Sequence, residues 1–370
     1  MLAHQQLAIE CNSATDNPLT DPQGDTLHGG NFQAKAVTAA MEKTRQAVQT
    51  IGRMLFTQCV EMINPSTNRG LPPNLVGEDP STSGIFKGTD IHIAALQAEL
   101  GFLSAPVNHV QTAEMGNQAL NSLALISARY THMSVNVLSE LAAAHLIAVC
   151  QALDLRAMQL DFLDAYRPQF SAVVAQVLRS YSSVDGSSDV HEHLHESLWA
   201  GLMKAFDSTT HMDVKARFPA IANALRSVFM DHPSFKSLHN PLQAWDSFTA
   251  NLQPSLQETW TANRDAYLVH GDASAYLAHA SKKLYQFVRH SLGVPFLSTQ
   301  RILTPYDIES IEADGAGKAQ QANGTAGASV RAPTVGSYTG TVHRAIRDGT
   351  LVRVVVDTLG ETAHYQRGPG

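Results

Sequence analysis

Between Asn12 and Gln33 the chain crowds together side chains that could handle a small polar substrate. The two runs are Asn12-Ser13-Ala14-Thr15-Asp16-Asn17-Pro18-Leu19 and His28-Gly29-Gly30-Asn31-Phe32-Gln33. Amides, a carboxylate, an imidazole and paired glycines sit in turn-forming sequence, directly before a long amphipathic stretch. Such groups orient a substrate, but they include no strong nucleophile and no complete set of metal ligands. The stretch reads as one wall of an active site whose reactive centre lies elsewhere. As bare turn chemistry, Asp16-Asn17-Pro18 is an Asx-Pro turn and His28-Gly29-Gly30 a plain turn. Two further pairs have helical i,i+4 spacing: Lys87 with Ile91, a charge beside an apolar contact, and Glu114 with Gln118, with Gly116 between them. Lys87 reads equally as a solvated lysine at a helix start, and Glu114 as a carboxylate favoured by the helix dipole.

Other chemistry is excluded by incomplete patterns. Gly315-Ala316-Gly317-Lys318 lacks the upstream glycine and the Ser/Thr of a phosphate-binding loop. His191, His193 and His195 form the one metal-like cluster, and with no cysteine or second cluster to complete it, no metal site is predicted. His145 falls in an apolar seam and reads as a hydrogen-bonded core histidine. Cys11, Cys59 and Cys150 are odd in number and far apart, as reduced packing residues of a cytoplasmic protein are. A net charge of −7 with no basic run excludes a nucleic-acid partner. The N-terminus has no signal-peptide pattern, and the most apolar window, 141–155, is too short to span a bilayer.

The elements that must position these residues are helices. Apolar spacing predicts one from Val37 to about Asn64-Pro65, a turn-rich passage through Pro72-Pro73 and Asp79-Pro80, and a second helix from Thr89 to Leu103. Beyond Pro106, the residues Leu120, Ala124, Ala128, Thr131, Val135, Leu138, Ala142, His145, Val149 and Ala152 repeat at spacings of four and three. A helix from about Val107 to Leu155, roughly 70 Å long, and apolar all round belongs inside a bundle and in contact with other subunits. Residues 1–156 therefore form a helix bundle and 157–266 an appended helical module. A return helix follows within 267–310 (Tyr276 to Leu292), then a Gly/Ala-rich linker over 311–336 and a tail over 337–370.

Several motifs now carry a resemblance. They are the two opening runs, Gly70-Leu71-Pro72-Pro73-Asn74-Leu75, Phe86-Lys87-Gly88, His109-Val110-Gln111-Thr112-Ala113-Glu114, Asn121-Ser122, Ser127-Ala128-Arg129, and Cys150 to Arg156. Together they resemble the C-terminal half of the phenylalanine ammonia-lyases, the fungal type most of all. The resemblance implies an all-α, long-helix bundle of the fumarase/aspartase-like type, with 157–266 similar to the shielding insertion of the eukaryotic enzymes. It implies a homotetramer that converts L-phenylalanine to trans-cinnamate and ammonia. It also implies an electrophilic 4-methylidene-imidazol-5-one, made from an internal Ala-Ser-Gly, that binds the amino group. Asn17 would hydrogen-bond that group, Phe32 would pack beside it, and Gln33 would support both. Glu114 would handle the substrate amine, Gln118 and Ile91 would line the ring pocket, and Lys87 would contribute charge. Histidine ammonia-lyases typically carry glutamate where Gln118 stands, so phenylalanine is favoured, with tyrosine as the alternative.

No Ala-Ser-Gly occurs in the 370 residues, and Thr82-Ser83-Gly84 lies in a different context. The tyrosine base and the carboxylate-binding arginine of the family lie upstream of the matching region. The expectation is a chain that is inactive alone. It would be a truncated form of an ordinary enzyme, a half complemented by a second polypeptide, or a non-catalytic subunit that modulates full-length partners. An exposed apolar surface on the long helix is expected in each case.

Overall fold

A computed structural model describes residues 1–107, 118–182, 189–299, 301–302 and 334–365. It is an all-α protein. Among the described residues the one sheet is a hairpin, β1 (Leu19–Thr20) antiparallel to β2 (Thr26–Leu27), with Leu19 opposite Leu27. The chain divides into two compact units, residues 1–58 with 91–145 and residues 59–90 with 146–370. Three helices, α2 (Lys35–Ile63), α3 (Lys87–Leu103) and α4 (Ala124–Tyr181), each supply a stretch to both.

In the first unit, α1 (Leu2–Cys11) precedes the hairpin and buries none of its residues. The core lies where α2, α3 and α4 meet, with Val48, Leu96, Leu100, Leu103, Val137 and Leu141 packed together. Gly52 explains how closely α2 and α3 approach: a Cβ there would lie 2.3 Å from Leu100 Cδ1. Apolar packing is not the only bond across this unit. Arg45 is fully buried, and its Nη1 donates to the Ser127 carbonyl at 2.9 Å and the Ser127 hydroxyl at 2.7 Å. Its Nη2 donates to the Ala105 carbonyl at 3.3 Å. Desolvation lowers the Arg45 pKa, opposed by Glu42.

The second unit is built on the later turns of α4. Phe162, Tyr166 and Phe170 form an aromatic spine on that helix, and Phe206, Trp199 and Trp260 pack against it. These partners come from α5 (Asp189–Ser208) and α7 (Pro241–His270), with α6 (Val214–Asp231) between them in sequence. Then come α8 (His279–Gln286), which continues as a π-helical turn over Phe287–Ser291, α9 (Val335–Arg347) and α10 (Thr350–Tyr365). Buried polar side chains of α4 hold the return segment. Asp154 accepts Tyr267 Oη at 3.0 Å, Tyr285 Oη at 2.5 Å and Arg289 Nε at 2.9 Å. Gln151 pairs with both the N–H and the carbonyl of Leu297, each at 2.9 Å. The Asp154 charge keeps Arg289 above its ordinary pKa although the guanidinium is buried.

Several sequence expectations shift. The central helix starts at Ala124 rather than near Val107, and it runs past 156 without a break to Tyr181. Its 58 residues span about 87 Å. Gln118 therefore precedes the helix instead of sitting on its first turns, while Glu114 lies outside the described residues. The repeat chosen as the buried seam lies beside the true one. Ser127, Thr131, Ser134, Leu141, Ala144, Ala148, Gln151 and Leu155 are buried, whereas Val135 is exposed and Ala142, His145 and Val149 are half-buried. By length and composition α4 could cross a membrane, which the window 141–155 alone could not; half of its most apolar window is buried in the protein. The return helix begins at His279, after a 3-10 turn over Ala273–Tyr276. The linker expected over 311–336 lies outside the described residues up to 333, and Thr334 already caps α9. Cys11 is exposed rather than packed. Burial raises the thiol of Cys59 to about 12 and that of Cys150 to about 11.

Candidate active site

The opening stretch folds as a pinned loop. Asp16 is buried, 7% exposed, and its Oδ1 accepts the Asn31 N–H at 2.8 Å. Asn31 Nδ2 returns a bond to the Ala14 carbonyl at 2.7 Å. These two bonds tie the run before the hairpin to the run after it. Gly29 belongs to the same knot, since a Cβ there would lie 2.8 Å from Asp16 Oδ2. At the hairpin tip Asp21 Oδ1 accepts the amides of Gln23 and Asp25, both at 2.9 Å. The Asn17–Pro18 peptide is cis.

Turning Asp16 inward leaves its neighbours facing out. Asn17 is exposed and makes no hydrogen bond among the described residues. Phe32 is 39% exposed, and Gln33 is half-buried. Asn17, Phe32 and Gln33 thus lie on the two limbs of one pinned loop. The residue that holds them there is Asp16, which the sequence offered only as turn chemistry.

The loop runs directly into α2, whose first turns reach the segments on either side of 108–117. Thr38 Oγ1 donates to the Ser122 carbonyl at 2.6 Å. Glu42 Oε1 accepts the Val107 N–H at 2.9 Å, and Arg45 bonds Ala105 and Ser127 as described. One face of α2, at spacings of four and three, therefore fastens chain both before and after the stretch that includes Glu114. Gln118 is half-buried, four residues before Ser122. Sequence reasoning missed Thr38, Glu42 and Arg45. Their available signal was polar residues at core-facing spacing in a helix that is otherwise small and apolar there.

Lys87 and Ile91 occupy the first turns of α3, one turn apart, and both are exposed, Ile91 by 67%. Lys87 falls in the second unit and Ile91 in the first. Among the described residues no hydrogen bond joins the opening loop to Lys87, Ile91 or Gln118. The histidine cluster is differently engaged: His195 Nε2 lies 2.9 Å from Ser171 Oγ and its Nδ1 3.3 Å from Glu196 Oε1. Among the described residues no group of histidine, cysteine and acidic side chains is placed to hold a metal.

A long-helix, all-α protein with a polar loop beside the bundle defines the class of the helical ammonia-lyases, and the comparisons place the chain within it. Residues 1–181 match the profile of the aromatic amino acid lyases. Through them the chain belongs to the aromatic amino acid lyase family. It is 43% identical over 305 residues to the phenylalanine ammonia-lyase lenB of Aspergillus lentulus, covering 80% of this chain and 42% of that protein. It is 39% identical over 364 residues to the phenylalanine ammonia-lyase of Strobilurus tenacellus, covering 95% of this chain and 46% of that protein. The crystal structure of phenylalanine ammonia-lyase from Rhodosporidium toruloides superposes with a TM-score of 0.81 at 36% identity, over 96% of this chain and 52% of that one. The chain spans about half the length of the curated relatives it matches.

Proposed function

We propose that this chain forms part of a phenylalanine ammonia-lyase active site, acting on L-phenylalanine to give trans-cinnamate and ammonia within a tetrameric assembly. The reading rests on one observation above the others: a loop pinned by Asp16 carries both an exposed, unpaired Asn17 amide and an exposed Phe32 ring. An amide and an apolar ring carried on one loop fit a planar, polar electrophile brought in by another segment of chain. In the family that group is the methylidene-imidazolone, and it supplies the electron sink for the substrate amine.

The reaction breaks Cα–N, removes a proton from Cβ and forms the double bond between them. This chain's residues would serve the nitrogen and the ring. Asn17 would hold the electrophile through its amide, and Phe32 and Gln33 would fix its plane. Glu114 would place a carboxylate by the departing ammonium, and Lys87 would add positive charge to the site. Gln118 and Ile91 would present a neutral, partly apolar surface to the phenyl ring. Fixed dipoles at the places where charge develops act by preorganised electrostatics, and removal of one costs about 100-fold or more in kcat. Asn17→Ala, assayed in an assembly containing the Ala-Ser-Gly segment, is expected to lose about that much. Gln118→Glu should lower kcat/KM for phenylalanine and narrow its margin over histidine. Unchanged rates in both variants would remove these residues from the site.

A second reading is favoured by the exposed apolar side chains of the first unit, Ile51, Met54 and Phe102 among them. The chain would then be a non-catalytic subunit that joins full-length lyase chains. Mixed tetramers of lowered activity would support it, and activity restored by a polypeptide carrying Ala-Ser-Gly would support the first.

A further inference from the structure

The passage that leads to Lys87 is fastened both to α4 and to the start of α6. Arg156 Nη2 donates to the Arg69 carbonyl at 2.8 Å and Gln159 Nε2 to the Gly70 carbonyl at 2.9 Å. Further along, two acidic residues exchange capping duties. Asp213 is the N-cap residue of α6, yet its carboxylate accepts no amide of that helix. It accepts the Ser81 N–H at 3.0 Å and the Ser81 hydroxyl at 2.6 Å instead. The first amide of α6, that of Val214, lies 3.3 Å from Asp79 Oδ1, which also faces Arg264 Nη1 at 3.3 Å.

An aspartate at an N-cap ordinarily satisfies an amide of its own helix. Here each partner caps the other's backbone, so the turn at 79–82 and the start of α6 order one another. The turn is short and closed, with Thr82 N–H bonded to the Asp79 carbonyl at 2.9 Å. Lys87 N–H bonds the Gly84 carbonyl at 2.9 Å, and Phe86, the residue before Lys87, is fully buried. Five residues separate Ser81 from Lys87, with little slack.

We propose that Asp213 is a positioning residue for Lys87, acting through Ser81, so that the appended module sets the geometry of the lysine. The inference rests on the reading of Lys87 as a site residue. The two bonds to Ser81 hold the Asp213 carboxyl below its ordinary pKa, so the pair is charge-assisted at neutral pH.

The test uses the 370-residue chain and needs no turnover, so it can fail while the lyase reading stands, and the reverse. Hydrogen exchange of residues 79–90 is followed by mass spectrometry. Asp213→Ala should raise it by roughly fivefold or more, each net hydrogen bond lost being worth about that factor. Asp213→Asn, which keeps an acceptor oxygen, should restore most of the protection, and Ser81→Ala should give a smaller rise than Asp213→Ala. Protection of 79–90 unchanged in Asp213→Ala would overturn the proposal. So would a rise spread equally over α5 to α7, which would make Asp213 a general support of the fold.

Discussion

At the scale of single residues, the opening loop works by dividing labour between neighbours. Asp16 points in and binds the Asn31 amide, and Asn17 points out. Asp16→Ala should remove the bond that holds the Asn31 N–H and release the loop. The expected result is about a tenfold or greater loss of kcat in a complemented assembly, since a displacement of about 1 Å in a positioning group can cost 100-fold. The melting temperature should move little, because the loop lies outside the main core; a large drop with unchanged kcat would contradict this. His145 offers a pH test. Burial lowers its pKa, so the folded chain disfavours the charged imidazole. The unfolded chain, with an ordinary histidine pKa near 6.5, binds the proton more readily. Stability is therefore fully present above about pH 6.5 and falls as pH drops toward the folded value. His145→Gln should flatten the melting curve against pH over that window. An equally steep slope in the variant would assign the effect to other groups.

At the scale of elements, α2 is the positioning helix. Thr38, Glu42 and Arg45 fasten the chain on both sides of 108–117, and Gly52 lets α3 approach. Gly52→Ala gains about 1 kcal/mol in helix propensity but overpacks against Leu100, a fault that costs about 1–3 kcal/mol. A net loss in urea unfolding is expected. Adding Leu100→Ala should cost less than the two single changes summed, because the shortened side chain makes room. Strict additivity would mean that the helices do not meet at Gly52. Helix existence was legible from the sequence because Val48, Leu55 and Cys59 keep a steady spacing, and α2 and α3 fall within two residues of expectation. The face of α4 was not. Where Val135, Leu138, Val149 and their neighbours are apolar on every side, periodicity cannot say which side the protein covers. The buried Ser127 and Gln151 carry the answer only through hydrogen bonds that no spacing reveals. The start of α4 was misplaced because Asn121-Ser122 was read through as helix.

At the scale of the molecule, the exposed residues fit a chain whose partners lie outside it. In the first unit α1 buries nothing, and Ile51, Met54, Phe102, Leu125 and Met133 are all more than 40% exposed. We read these uncovered apolar side chains as part of the surface on which other chains of the proposed assembly would pack. Asn17, Phe32 and Gln33 stood out in the sequence as candidates because their residue types are unusual beside one another. Asp16's inward turn and the grip of Asp213 on Ser81 were not, since both depend on contacts distant in sequence or on the direction a short side chain takes. The most direct test is cinnamate release from L-phenylalanine by the 370-residue chain, alone and after co-expression with a lyase polypeptide that carries Ala-Ser-Gly. The account predicts release only from the co-expressed pair, and its loss when Glu114 is changed to Gln. Release by the chain alone, or by the pair regardless of Glu114, would contradict it.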